Sequence, residues 1–307
     1  MKQYLTYFVD DTVRFLENLS KNRPASIFDD PYLKAHKELH DKYNLKVQFN
    51  LFYQTLDKSW DLSMMTDAYK EEFLANKDWM RFGFHARHEL PDWPYINATY
   101  DEVWKDYTDI ENEVIRFAGK EMLTRSAIIH WVTMTKEGMM ALKDKGIEMM
   151  SCTMGDKVDF PEARSVFSTE HNFKLNENKN IPVSEAFVSQ KTGGAFTFGN
   201  FNHLDNAGVD KYLGKIQMYV EPETGIAFNR FACILLNATK LADFDPILEN
   251  LKKYEHTCLA MHEQYFYDDY FAYEPDFAEK VGYAWKTLLD AGFEPILMDE
   301  LVDLQEK

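Results

Sequence analysis

The chain predicts an α/β protein built on a mainly parallel sheet, and three observations carry that expectation. Short apolar runs of strand length alternate with amphipathic helical stretches. Four of the strand-like runs end in an acidic pair or in a histidine. The alternation is interrupted once, by a stretch rich in Asn, Lys, Gly and Thr, and then resumes. At 307 residues the chain suffices for one large α/β domain or for a barrel carrying an insertion.

The first strand is the aromatic and β-branched run Tyr4 to Val9, closed by Asp10 and Asp11. A helix with Val13, Leu16 and Leu19 follows it. Asp30 and Pro31 place an N-cap and an N1 proline before a second helix reaching about Tyr43. Leu45, Val47, Phe49 and Leu51 alternate with Lys46, Gln48 and Asn50, which predicts a strand with one buried face. Phe82-Gly83-Phe84 leads into His85. Thr99 and Glu102 have capping-box spacing and open a helix with Val103, Tyr107, Ile110, Val114 and Phe117 on one face, ended by Gly119. A short strand Ala127 to Ile129, a Met-rich helix ending at Gly146 and a strand Ile147 to Cys152 complete this part.

From about Gly155 to Asn229 no clean helical period is present, and Lys191 to Gly194 is a turn cluster. Gln217 to Val220 and Ile226 to Phe228 flank Pro222 to Gly225 as a hairpin. A β-rich insertion over 156–229 is therefore expected, with one α/β body made of 1–155 and 230–307. The rhythm returns with a strand Phe231 to Leu236, a helix near Pro246 to Tyr254 and a strand Thr257 to Met261. A last helix carries Phe277, Val281, Trp285 and Leu288, stops at Gly292 and precedes a strand near Pro295 to Met298.

A net charge of −17 argues against a nucleic-acid backbone or an anionic membrane as partner, since both need a basic face. Neutral or cationic substrates, sugars included, remain open. Cys152, Cys233 and Cys258 follow no CxxC spacing and read as buried small hydrophobes in a reducing compartment. Met1-Lys2-Gln3 runs straight into the first strand without a signal peptide's apolar region. No stretch approaches the roughly 20 apolar residues of a membrane span. A cytoplasmic location is expected; nothing bears on oligomeric state.

Paired carboxylates at a strand end are costly without a cation nearby. Asp10 or Asp11 taken alone reads better as the cap of the following helix. His85 and His88 have i, i+3 spacing, Glu89 is an oxygen donor at i+4, and His130 and His262 each follow an apolar run. In a parallel α/β fold the carboxyl ends of the strands share one side, where ligands bind. The joint reading, a divalent-metal site, is stronger than any single member. His36 and His40 read as helical surface; His171, His203 and His256 have no partner pattern. Trp93, Tyr95, Tyr265, Tyr267 and Tyr270 are as consistent with sugar stacking as with packing, and Asp268 and Asp269 read as solvated.

Phe8-Val9-Asp10-Asp11-Thr12, His85-Ala86-Arg87-His88-Glu89 and Ala260-Met261-His262-Glu263 together resemble the motifs of the polysaccharide deacetylase (NodB-like) superfamily. The resemblance spans about 1–155 and 230–307. It implies a distorted (β/α)7, TIM-like barrel and a divalent ion, Zn²⁺ in the first instance, bound by Asp11 and histidines. It further implies Asp10 as general base and His262 as general acid; Glu263, or another acidic neighbour, would keep that imidazole protonated. In this chain the second histidine stands one residue early, the usual Arg-x-Pro-Tyr-Gly stretch is missing, and Glu263 replaces an aspartate. The third ligand is accordingly His88 from a tighter turn, His130, which ends a strand of its own and has a small advantage, or Glu89.

The expectation is a metal-dependent hydrolase that removes an acyl group from an amide or ester of a carbohydrate-like small molecule or short glycan. A catalytically silent barrel that binds metal or carbohydrate is the alternative from another class. Activity on another acylated or cyclic C–N compound is a third.

Overall fold

The computed structural model describes residues 2–90, 94–95, 98–132, 134–153, 218–220 and 224–304. Most of the expected insertion, with Trp93, His171, His203 and the Lys191 to Gly194 turn, lies outside the described residues, as does the side chain of Cys152.

Over the described residues the strands are β1 (Tyr4–Thr12), β2 (Val47–Phe52), β3 (Met80–Ala86), β4 (Ser126–Ala127), β5 (Met149–Thr153), β6 (Met218–Val220), β7 (Ala227–Leu235), β8 (His256–His262) and β9 (Glu294–Pro295). The helices are α1 (Arg14–Asn22), α2 (Pro31–Tyr43), α3 (Lys70–Ala75), α4 (Tyr100–Phe117), α5 (Lys136–Asp144), α6 (Phe244–Leu251), α7 (Phe277–Asp290) and α8 (Glu300–Asp303). The fold is mixed α/β, with strands ordered β3-β2-β1-β8-β7-β5-β4 and every pair along that path parallel. β6 lies antiparallel to β7, and β9 pairs with the start of β1. The terminal strands of the path are linked as well: Phe82 in β3 bridges Leu123 just before β4, and the Thr124 amide donates to the Phe82 carbonyl at 3.0 Å. Among the described residues no helix is long and apolar enough to cross a membrane.

Local signals hold at the helix starts. Asp30 accepts from the Tyr32 and Leu33 amides, and Thr99 with Glu102 forms the capping box of α4. Val103, Tyr107, Ile110, Val114 and Phe117 are the buried face of α4. The expected hairpin exists as β6 and β7, but its return strand and the strand expected at Phe231 are one continuous β7, Ala227–Leu235. Parallel pairing to β5 and β8 along this length leaves no room for a break. The short helix α3 gives no clear periodic signal.

Two expectations about burial are corrected. β2 is buried along its whole length, so Gln48 and Asn50 lie in the interior at 1% and 0% exposure. Both faces of a parallel strand are covered, and these amides are satisfied by one another rather than by water. His36 is likewise buried, at 1% exposure. It packs among Tyr32, Phe49 and Phe277, and its ring nitrogens reach the Tyr32 carbonyl (2.9 Å) and the Tyr7 hydroxyl (3.3 Å).

Candidate metal centre

The register of β1 and β8 sets Asp10 directly opposite His262. β1 then breaks step: its pairing with β2 slips between Val9 and Thr12, and Asp11 adopts a left-handed φ of 59°. A bulge of this kind re-aims a side chain at the end of a strand, and for a non-glycine residue it stores strain of the sort that collects at functional sites. Trp131, next to His130, has the same φ of 59°.

Neither Asp10 nor Asp11 caps the helix that follows. The carboxylate at the N-terminus of α1 is that of Glu263, which accepts from the amides of Val13 (2.6 Å), Arg14 (2.9 Å) and Phe15 (2.6 Å) and from the Tyr267 hydroxyl (2.8 Å). Burial pushes this carboxyl up to about 7, against the pull of those donors. Glu263 is therefore not the partner expected for His262. Nδ1 of His262 donates instead to Oδ1 of Asn237 at 3.1 Å, leaving Nε2 facing Oδ2 of Asp11 at 3.9 Å.

Asp11, His85 and His130 come together, all buried, with their ligand atoms within 4.8 Å of one another. Oδ1 of Asp11 is 3.1 Å from Nε2 of His85 and 3.4 Å from Nδ1 of His130, and those two nitrogens are 3.1 Å apart. Their protonation is set from behind. Nδ1 of His85 meets the Ile128 carbonyl at 2.6 Å and Nε2 of His130 meets the Glu89 carbonyl at 3.1 Å. A carbonyl only accepts, so each ring spends its N–H there and turns a bare lone pair inward. With both rings neutral, three acceptors converge on one point. A divalent cation fits that donor set of one carboxylate and two imidazoles, each imidazole braced by a carbonyl on its far side.

Charge at the site follows the same geometry. Burial alone would raise Asp11, but His262, His130 and His85 around it hold its carboxyl well below the usual range. Burial would lower His85, and Asp10 and Asp11 overcome this and raise it. His130 is lowered by burial. Asp10 is pushed up to about 7 by burial, with His85 and the Asn50 amide working the other way. Oδ1 of Asp10 lies 3.7 Å from Nδ1 of His85 and accepts from Nδ2 of Asn50 at 2.7 Å.

His88 is not part of the group. Its ring nitrogens engage the carbonyls of Leu90 (2.8 Å) and Leu56 (3.0 Å), tying two loops together. Glu89 contributes its backbone carbonyl to His130. The aromatic residues are mostly structural: Tyr95 is buried and donates to Asp106, Tyr265 is buried, and Tyr267 lies beneath the Arg14 guanidinium. Asp269 is not merely solvated; it pairs with Arg14 at 2.8 Å. The residues that the sequence did not single out are Asn50, Asn237 and Gln264, whose Nε2 donates to Oδ2 of Asp11 at 2.7 Å. Amides have no motif of their own, and only the polar alternation of β2 pointed toward one of them.

No family model matches the chain, and no curated protein is similar to it in sequence. Solved structures are. One is a family 4 acetyl xylan esterase from Clostridium thermocellum in complex with a cobalt ion (11% identity, TM-score 0.42, covering 98% of this chain and 91% of that one). Another is a CE4 family pseudoenzyme from Bacillus anthracis (10% identity, TM-score 0.47, covering 98% of this chain and 66% of that one). A 4-alpha-glucanotransferase from Thermococcus litoralis matches at 10% identity and a TM-score of 0.52, and this chain spans 41% of its length. The likeness to the last of these is one of fold, here a mixed α/β chain with a mostly parallel sheet.

Proposed function

We propose that the protein is a metal-dependent hydrolase that removes an acyl group from an amide or ester of a carbohydrate-like molecule. The observation that carries this reading is the convergence of Asp11, His85 and His130 on one point, flanked by a second carboxylate and a third imidazole. On this reading the motif resemblance of the first strand, of His85 and of His262 has its natural place. The sheet is taken to close between β3 and β4 into a (β/α)7-type barrel, which the Phe82–Leu123 bridge supports. The chain between β5 and β7 is taken as the insertion.

Asp11, His85 and His130 would hold the ion, Zn²⁺ being the choice that one carboxylate and two imidazoles favour. A divalent ion so bound supplies Lewis acidity at an acyl carbonyl and makes water acidic enough to ionise near neutrality. Asp10, with Oδ1 engaged by Asn50, presents Oδ2 to take a proton from the attacking water. His262 stands across the strand pair from Asp10, held through Nδ1 by Asn237, so Nε2 is the atom that delivers a proton to the departing amine or alkoxide. Gln264 fixes the second oxygen of Asp11. The substrate is taken as a soluble metabolite or short glycan in the cytoplasm.

The test is hydrolysis of a generic acetyl ester by purified protein whose metal content is measured. Asp10→Asn should retain the metal and lose about 10²–10⁴-fold in rate, the range for removing a general base. Protein that binds no divalent ion, or an Asp10→Asn variant as active as the parent, would end this reading.

A further inference from the structure

Inside the sheet, behind Asp10, four polar side chains form a continuous file. Ser126 Oγ donates to Oε1 of Gln48 at 2.8 Å, Gln48 Nε2 donates to Oδ1 of Asn50 at 2.8 Å, and Asn50 Nδ2 donates to Oδ1 of Asp10 at 2.7 Å. Thr124 Oγ1 lies 2.9 Å from Ser126 Oγ. The single hydroxyl proton of Ser126 is committed to Gln48, so Thr124 is the donor in that pair. Every hydrogen bond in the file therefore points the same way, from Thr124 toward the Asp10 carboxylate. Amide orientations along it are dictated by its end, since an ionised carboxylate only accepts. All four side chains are buried, at 4% exposure or less. Such head-to-tail chains polarise one another in a low-dielectric interior.

The file passes over Gly83, in mid-strand in β3. A Cβ built there would stand 2.4 Å from Oδ1 of Asn50 and 2.7 Å from Nε2 of Gln48. Any other residue would push apart the two amides at the centre of the file. Glycine weakens a strand interior, and here it coincides with a close approach that needs the missing side chain.

We propose that Thr124, Ser126, Gln48 and Asn50, with Gly83 making room for them, are a positioning device for Asp10. The file pins Oδ1 and leaves Oδ2 as the oxygen that faces the reacting water. Among the described residues Oδ2 takes no hydrogen bond. The device rests on Asp10 as general base, but its geometric part stands without it: the carboxylate is aimed by residues reaching back to β4, of which only Asn50 bonds to it. Gln48 and Gly83 are thus positioning residues for a group that neither contacts.

The experiment uses the full chain and the single variants Asn50→Leu, Gly83→Ala and Ser126→Ala, checked for folding by thermal melting and for bound metal. Two quantities are read: the crystallographic position of the Asp10 carboxylate, and kcat and KM for a generic acetyl ester. Asn50→Leu and Gly83→Ala are expected to turn the carboxylate out of its present orientation. They should lower kcat about 10²-fold, the effect of misplacing a catalytic group by about 1 Å, with KM within about twofold and metal content unchanged. Ser126→Ala, which removes only a remote donor, should shift kcat the same way by a smaller factor. An unmoved Asp10 with parental kcat in Gly83→Ala overturns the proposal, and should that variant not fold, the same result in Ser126→Ala does. If metal-loaded parent cleaves no acyl bond, the hydrolase reading fails, and the position of Asp10 in the variants alone decides for or against the device.

Discussion

Removing the Glu263 carboxylate should cost the protein a predictable share of its stability. The side chain caps α1 from a different part of the chain, accepting three consecutive amides and one phenol. In Glu263→Ala the Arg14 amide, on a half-buried residue, can turn to water, but those of Val13 and Phe15 are on buried residues at 5% and 0% exposure. An unsatisfied buried donor costs about 1–3 kcal/mol, so two give about 4 kcal/mol, with loss of the negative charge at the helix N-terminus acting in the same direction. Glu263→Gln keeps one oxygen for the Val13 and Arg14 amides and sets an NH₂ against the Phe15 amide, which leaves a single conflict worth about 2 kcal/mol. Urea denaturation of metal-free protein at pH 8 measures both. An alanine variant within 1 kcal/mol of the parent, or a glutamine variant as damaged as the alanine one, would refute the capping argument.

Four further outcomes are expected. His130→Ala and Asp11→Ala should weaken divalent-ion binding by at least about 10–100-fold in a chelator competition, whereas His88→Ala, which removes only a loop tie, should bind as the parent does. Metal added at about 100 times its Kd should stabilise the parent by about 2.7 kcal/mol, and tight binding by Asp11→Ala would remove that residue from the ligand set. Burial lowers His36 from its ordinary 6.5 to about 4. Its contribution is full above pH 6.5 and lost as pH falls toward 4, about 3 kcal/mol in all, so the parent and His36→Leu should converge in stability over that window in paired melts. Burial raises Glu263 from 4.5 to about 7. This acts with the opposite sign: stability from that group falls as pH rises from 4.5 to 7, and the difference between the parent and Glu263→Gln should carry that slope.

Much of this molecule is written locally. The caps at Asp30 and Thr99, the apolar face of α4 and the apolar runs that become β1, β3 and β8 are each decided within a few residues, because strand and helix periods and N-cap chemistry act over that distance. Asp10, Asp11, His85 and His262 could be singled out for the same reason: they end or close such runs, and a parallel sheet gathers its carboxyl ends on one side. What no local pattern holds is the choice among donors of similar type. In sequence His130 had only a small advantage over His88; the fold decides between them, the loop after β3 turning His88 onto the Leu56 and Leu90 carbonyls and the turn after β4 bringing His130 within 3.4 Å of Asp11. Glu263 looked like the partner of its neighbour His262, yet successive residues at a strand end point apart, and its carboxylate found the open amides of α1. Gln48 and Asn50 read as an exposed face because polarity stands for water only when the other side of a sheet is open. Here β3 and β4 close over them, and the amides satisfy each other and Asp10 instead. Composition and periodicity select the elements; which polar group meets which is settled by the packing of segments as much as two hundred and fifty residues apart, as with Glu263 and Val13.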